Sequence, residues 1–150
     1  MASYTVFLVD DEKNILQGLH LLIDWNALDC EIIGESVDGA QGAAMIQSLR
    51  PDIVITDICM TSMSGLEMVA QTANTDTRFI IISGYSDFNY AKSGIELGVI
   101  DYILKPIDED ELILAVQKAI RSIQLVRAQN AEQRRYESLC SAVNDLALTG

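Results

Sequence analysis

The chain has 150 residues, 49% of them hydrophobic, and its 22 acidic against 10 basic side chains give a formal net charge of -12. That length and apolar content suit one packed domain plus a short appendage, and argue against both two full domains and a disordered chain. The negative charge repels phosphate backbones, so no direct nucleic-acid binding by these residues is expected, and no apolar run approaches the roughly 20 residues that span a bilayer.

Reading from the N-terminus, Val6 to Val9 is a short β-rich run that leads into Asp10 and Asp11, after which Ile15, Leu19 and Leu22 recur at helical spacing. Glu31 to Ser36 predicts a second strand. Gly39 precedes a helix marked by Ile46 and Leu49, and Ile53 to Thr56 predicts a third strand ending at Asp57. Leu66, Val69 and Ala73 mark the next helix, and Phe79 to Ile82 the fourth strand, followed by Ser83. Phe88, Ala91 and Ile95 mark another helix, with Ser86 or Asp87 as its cap and Gly98 as its stop. Tyr102 to Leu104 is the fifth strand, followed by Lys105, and Leu112, Val116, Ala119 and Ile123 carry the last helical face. Strands so continuously apolar are covered on both faces, and their alternation with helices specifies a parallel sheet. Right-handed crossovers then favour a flavodoxin-like (βα)5 doubly wound sheet with strand order 2-1-3-4-5.

From residue 121 onward the chain stays helix-compatible but falls outside the five repeats. A polar stretch from Arg127 to Glu137 precedes Leu139, Val143 and Leu146, and the heptad spacing of Val116, Ile123 and Asn130 decays at Gln133 and Glu137. A C-terminal helical extension is expected rather than a sustained coiled coil. The division is therefore a domain over residues 1–122 and a helical linker over residues 123–150. Cys30, Cys59 and Cys140 match neither a metal-ligand spacing nor a disulfide framework and are expected as free thiols; His20 is assigned no function. With no basic, cleavable leader at its N-terminus, the protein is expected to be soluble and cytoplasmic, without a membrane partner.

In the favoured topology ligands sit beyond the carboxyl ends of the strands, where the winding reverses. Asp10, Asp11, Asp57, Ser83 and Lys105 all fall at those ends. One such aspartate is most simply a turn former; five such positions together are a site. Three crowded carboxylates stay ionised only beside compensating positive charge, which a divalent ion and Lys105 supply. Hard oxygen ligands without His or Cys suit Mg2+, with Asp11 and Asp57 as direct ligands and Asp10 acting through water. A carboxylate is also a nucleophile toward phosphorus when cations neutralise the transferring group, and Asp57 is the best placed.

These residues resemble the response-regulator receiver domains of two-component phosphorelays over about the first 120 positions. Phe7-Leu8-Val9-Asp10-Asp11-Glu12 is similar to the family's acidic pair and Asp52-Ile53-Val54-Ile55-Thr56-Asp57-Ile58 to its phosphoacceptor strand. Ile81-Ile82-Ser83-Gly84-Tyr85 resembles the switch-hydroxyl segment, and Asp101-Tyr102-Ile103-Leu104-Lys105-Pro106 the lysine motif. The resemblance implies that Asp57 is the phosphoacceptor, that Asp10, Asp11 and the main-chain carbonyl of Cys59 complete the Mg2+ ligands, and that Lys105 grips a phosphoryl oxygen. It implies a cis peptide bond before Pro106 and a switch in which the Ser83 hydroxyl moves to the phosphate and the Tyr102 ring fills the space vacated. Cys59 and Tyr85 are expected near the phosphate, where they would govern access of hydrolytic water. In Met60-Thr61-Ser62-Met63-Ser64-Gly65 the chain departs from the family, because Thr61 stands where a proline is usual. A looser loop is the expected consequence.

Ile23-Asp24-Trp25 and the segment from Gly84 to Lys92 further resemble receivers attached to AraC-type helix-turn-helix transcription regulators. The implied partners are a sensor histidine kinase and a C-terminal DNA-binding domain beyond Gly150, and a homodimer is compatible with the same reading. The alternatives are a stand-alone receiver that acts by docking a partner and an Mg2+-dependent phosphatase with an aspartyl nucleophile. The best-known such phosphatases carry an acid/base Asp two residues after the nucleophile, where this chain has Cys59.

Overall fold

Five parallel strands form the centre of the molecule: β1 (Tyr4–Val9), β2 (Cys30–Ser36), β3 (Ile53–Asp57), β4 (Arg78–Ser83) and β5 (Val99–Leu104), in the order β2-β1-β3-β4-β5. The structure is a computed structural model and describes residues 2–60, 62–74, 76–84 and 99–149, with side chains to residue 144. The three central strands are almost wholly buried, whereas most positions of the edge strands β2 and β5 are half-buried or exposed. Burial on both faces is why the central strands read as unbroken Val, Ile, Leu and Phe. The doubly wound expectation is met, order included. Each strand begins one to three residues earlier than its apolar run suggested, except β3, which ends one residue later and takes in Asp57.

Between the strands lie α1 (Lys13–Leu22), α2 (Gly39–Leu49) and α3 (Gly65–Thr72). The buried face of α1 is Leu16 and Leu19; of the Ile15, Leu19 and Leu22 that spacing suggested, Leu19 is buried and Ile15 and Leu22 are half-buried, and Leu49 at the end of α2 is exposed. The face of α2 that meets the sheet is made of Gly39, Gly42, Ala43 and Ile46. A Cβ on Gly42 would stand 3.3 Å from both Val9 Cγ1 and Met68 Sδ, so the small side chain is what lets α2 approach. Phe7, Val9, Ala43, Ile46, Val54, Met68, Val69 and Phe79 close that side as one buried cluster. The helix expected around Phe88, Ala91 and Ile95, with Ser86, Asp87 and Gly98, lies outside the described residues.

The chain divides into two compact units, residues 1–120 and 121–150. A last helix, α4 (Glu109–Thr149), starts where Asp108 accepts the N–H of Glu111 at 3.1 Å and where Glu109, Asp110 and Glu111 meet the positive end of the helix dipole. Leu112, Val116, Ala119 and Ile123 are buried, as their spacing implied. From residue 127 to residue 144 every side chain is exposed. Among the described residues no helix is long and apolar enough to cross a membrane.

Trp25 is a buried plug with a second task. Its indole N–H donates to the carbonyl of Leu19 at 2.9 Å, which satisfies one of the four carbonyls that the C-terminus of α1 leaves open. Trp25→Phe keeps most of the apolar volume and strands that carbonyl, so a loss of about 1–2 kcal/mol is expected in urea unfolding. A variant as stable as the wild type would show that water satisfies the carbonyl equally well.

Candidate functional site

At the carboxyl edge of the sheet β1 delivers Asp10 and Asp11, β3 delivers Asp57, β4 delivers Ser83, and β5 is followed by Lys105. Parallel pairing makes this obligatory: β1 and β3 are direct neighbours, Asp57 stands opposite Ile82, and Ser83 stands opposite Leu104. Ligand oxygens of Asp10, Asp11 and Asp57 all lie within 4.8 Å of one another. The Lys105 ammonium is 3.3 Å from Asp57 Oδ2 and 3.4 Å from Asp10 Oδ2. The peptide bond between Lys105 and Pro106 is cis, and the Lys105 N–H donates to the Ser83 carbonyl at 2.8 Å.

Burial differs sharply within the group. Asp10, Asp57 and Ser83 are 1%, 5% and 1% exposed, while Asp11 opens to solvent. Asp10 Oδ1 accepts the N–H of Glu12 at 2.9 Å, and Asp57 Oδ1 accepts the N–H of Ile58 at 2.8 Å. Both outer oxygens are thereby left to Lys105. The Ser83 hydroxyl is buried without a hydrogen-bond partner among the described residues, an arrangement that costs free energy unless something polar arrives to use it. Tyr102 is half-buried and packs on Ile58 and Ile81, and Cys59 is exposed two residues past Asp57. Tyr85 and Thr61 lie outside the described residues.

Desolvation sets the electrostatics. Burial raises the Asp10 carboxyl to about 6, helped by the neighbouring Asp57 charge and opposed by the Glu12 N–H and Lys105. Burial raises Asp57 as well, Lys105 and the Ile58 N–H opposing and Asp11 adding to the rise. Burial works against the charge of Lys105, but Asp57 and Asp10 prevail and hold its ammonium above the ordinary lysine range. One ammonium is too little for these carboxylates, and the shortfall is what a cation would relieve.

Three contributors stand within the motif segments but are assigned no role from sequence. A Cβ on Gly65 would collide with the main-chain oxygen of Asp57, so only glycine lets α3 start there, and the Gly65 N–H donates to the Ile58 carbonyl at 2.7 Å. Thr56 Oγ1 donates to the Asp57 carbonyl at 3.0 Å, and Ser64 caps α3 by accepting the N–H of Glu67 at 3.1 Å. Hydroxyls and glycines of this kind are common in every loop, and only their contacts distinguish them.

A sequence profile of the response regulator receiver domain matches residues 6–117. The transcriptional regulatory protein HptR of Staphylococcus aureus is 35% identical over 127 residues, covering 85% of this chain and 50% of that protein. The uncharacterized transcriptional regulatory protein YesN of Bacillus subtilis is 35% identical over 122 residues, covering 80% of this chain and 33% of the relative. The chain thus spans half or less of the length of these two relatives. Among solved structures, the receiver domain of the response regulator AraT from Geobacillus stearothermophilus superposes with a TM-score of 0.76 at 34% identity, covering 86% of this chain and 99% of that one. A two component transcriptional regulator AraC from Clostridium phytofermentans gives 0.77 at 34% identity, covering 84% and 99%.

The raised Asp10 pKa carries a signed prediction. Between the unfolded value near 3.8 and the folded value near 6 the folded chain holds a proton that the unfolded chain has lost, so this group's contribution falls as pH rises through that window. Asp10→Asn should therefore stabilise the metal-free protein by about 1–3 kcal/mol at pH 7 and by little at pH 4, as read from paired thermal melts. Equal melting temperatures at both pH values would contradict the desolvation argument.

Proposed function

This chain belongs to the response regulator receiver domain family, and on that premise we propose that it accepts a phosphoryl group on Asp57 from a sensor histidine kinase and relays the change to a DNA-binding output domain. The observation that carries the reading is the buried Asp57 carboxyl, which ends its strand facing one shared ammonium and two further carboxylates. The relatives described as transcriptional regulatory proteins support the output, and residues 123–150 are read as the helical linker toward it. A cytoplasmic location follows from a transcription-regulating role.

Asp10, Asp11 and Asp57 would hold Mg2+ with the main-chain oxygen of Cys59, Asp10 through water, a set of hard oxygens that suits this ion. When bound, the ion neutralises the carboxylates and the oxygens of the transferring group. A carboxylate oxygen of Asp57 attacks phosphorus, an O–P bond forms, and the N–P bond of the donor phosphohistidine breaks with the imidazole leaving. Lys105 pairs with a phosphoryl oxygen, as its present contacts with Asp57 and Asp10 favour. The Ser83 hydroxyl, which has no hydrogen-bond partner among the described residues, donates to another phosphoryl oxygen, and the Tyr102 ring turns into the space vacated, which converts a local charge change into a change of surface.

Receiver domains are regulatory, and Cys59 in place of a second carboxyl two residues after Asp57 weighs against a phosphatase that turns over exogenous esters. A small phosphodonor with Mg2+ should add one phosphoryl group to the wild type and none to Asp57→Ala, resolved by intact-protein mass. Mg2+ alone should raise the melting temperature of the wild type at pH 7 and leave that of Asp10→Asn nearly unmoved. Equal labelling of wild type and Asp57→Ala refutes the assignment.

A further inference from the structure

The loop from residue 58 to residue 64 is tied to a helix that phosphoryl acceptance does not otherwise use. Ser62 stands in the left-handed region at φ 68°, which a residue with a Cβ keeps only where its surroundings hold it. Its hydroxyl donates to Asp38 Oδ1, and the N–H of Ala40 donates to Ser62 Oγ at 3.4 Å. One residue on, the Met63 carbonyl oxygen rests against Gly39 so closely that a Cβ there would collide with it, while the Met63 side chain packs on the buried cluster under α2. Asp38 is also the N-cap of α2, yet its own capping contacts, from the N–H groups of Ala40 and Gln41, are both long at 3.4 Å. The Asp38 carboxyl is held below its ordinary range first of all by the Ser62 hydroxyl.

We propose that Asp38 and Ser62 are positioning residues, whose hydroxyl-to-carboxylate bond latches the loop after Asp57 onto the N-terminus of α2. The inference rests on the phosphoacceptor reading above and says what makes that site rigid. Gly65 and Ile58 close the far end of the loop through their 2.7 Å hydrogen bond, which leaves Cys59, whose carbonyl is the proposed cation ligand, between that closure and the latch. A proline at position 61 would stiffen the loop by fixing φ, and this chain has Thr61 there. The bond to α2 supplies that stiffness from outside the loop, across 24 residues of sequence.

The test separates positioning from stability. Ser62→Gly removes the hydroxyl while relieving the left-handed backbone, so the metal-free melting temperature should stay level or rise. Its Mg2+ affinity, measured by calorimetry, should fall about three- to tenfold, the size of one lost hydrogen bond. Labelling by a small phosphodonor should slow in step at low Mg2+ and recover at saturating Mg2+. Asp38→Asn keeps an acceptor and a cap and should track the wild type. Asp38→Ala should match Ser62→Gly in Mg2+ affinity, and the double variant should be no worse than either single one. Ser62→Gly with wild-type affinity, or losses that add in the double variant, overturn the latch while leaving the phosphoacceptor reading intact. A wild type that takes neither Mg2+ nor label overturns that reading and the latch with it.

Discussion

The site depends on one ammonium shared between two carboxylates that the fold has taken out of water. Lys105 lies 3.3 Å from Asp57 and 3.4 Å from Asp10, and without it both acids would be buried charges facing each other. Isolated buried charge is expensive enough that such groups shed it by changing protonation state. Here the compensation is partial. Asp10 is still raised to about 6 by burial, so the pocket remains short of positive charge with its lysine in place.

Everything else in the fold serves to hold that imbalance still. The sheet brings the ends of β1, β3 and β4 and the residue after β5 together because parallel neighbours must end on the same edge, and the order β2-β1-β3-β4-β5 puts the acidic pair next to Asp57. Backbone N–H groups of Glu12 and Ile58 each occupy one carboxylate oxygen, which fixes the orientation of the other. Beyond the strand, Gly65 admits α3 against the Asp57 carbonyl, and small residues on α2 bring that helix within reach of the same loop. Positions that look like mere fillers in the sequence thus set the placement of charged ones.

Much of this was legible in the sequence. Fully buried strands cannot hide, because both of their faces must be apolar, and the residues that follow them were therefore known to share an edge. Asp10, Asp11, Asp57, Ser83 and Lys105 do gather there. The helix faces were read less well for a physical reason. Searching for large apolar residues at helical spacing picks Leu49, which is exposed, and passes over Gly42 and Ala43, whose smallness is what the packing uses. The contact of Ser62 with Asp38 had no signature at all, since a hydroxyl and a carboxylate 24 residues apart form no pattern until the chain is folded.

Counting charge explains why a hydroxyl belongs in so acidic a place. Three ionised carboxylates and one ammonium leave the pocket with two negative charges, which a single divalent ion would cancel. In the proposed reaction Asp57 surrenders its own charge on forming the acyl phosphate but gains a phosphoryl group carrying nearly two. The product state is therefore more negative than the resting one, and the single ammonium of Lys105 can pair with only part of that charge. A further stabilising contact must come from a neutral donor that costs little to keep nearby before the reaction. The Ser83 hydroxyl, buried and without a hydrogen-bond partner among the described residues, meets that description, whereas a second lysine there would have quenched the imbalance that makes the pocket attract a cation in the first place.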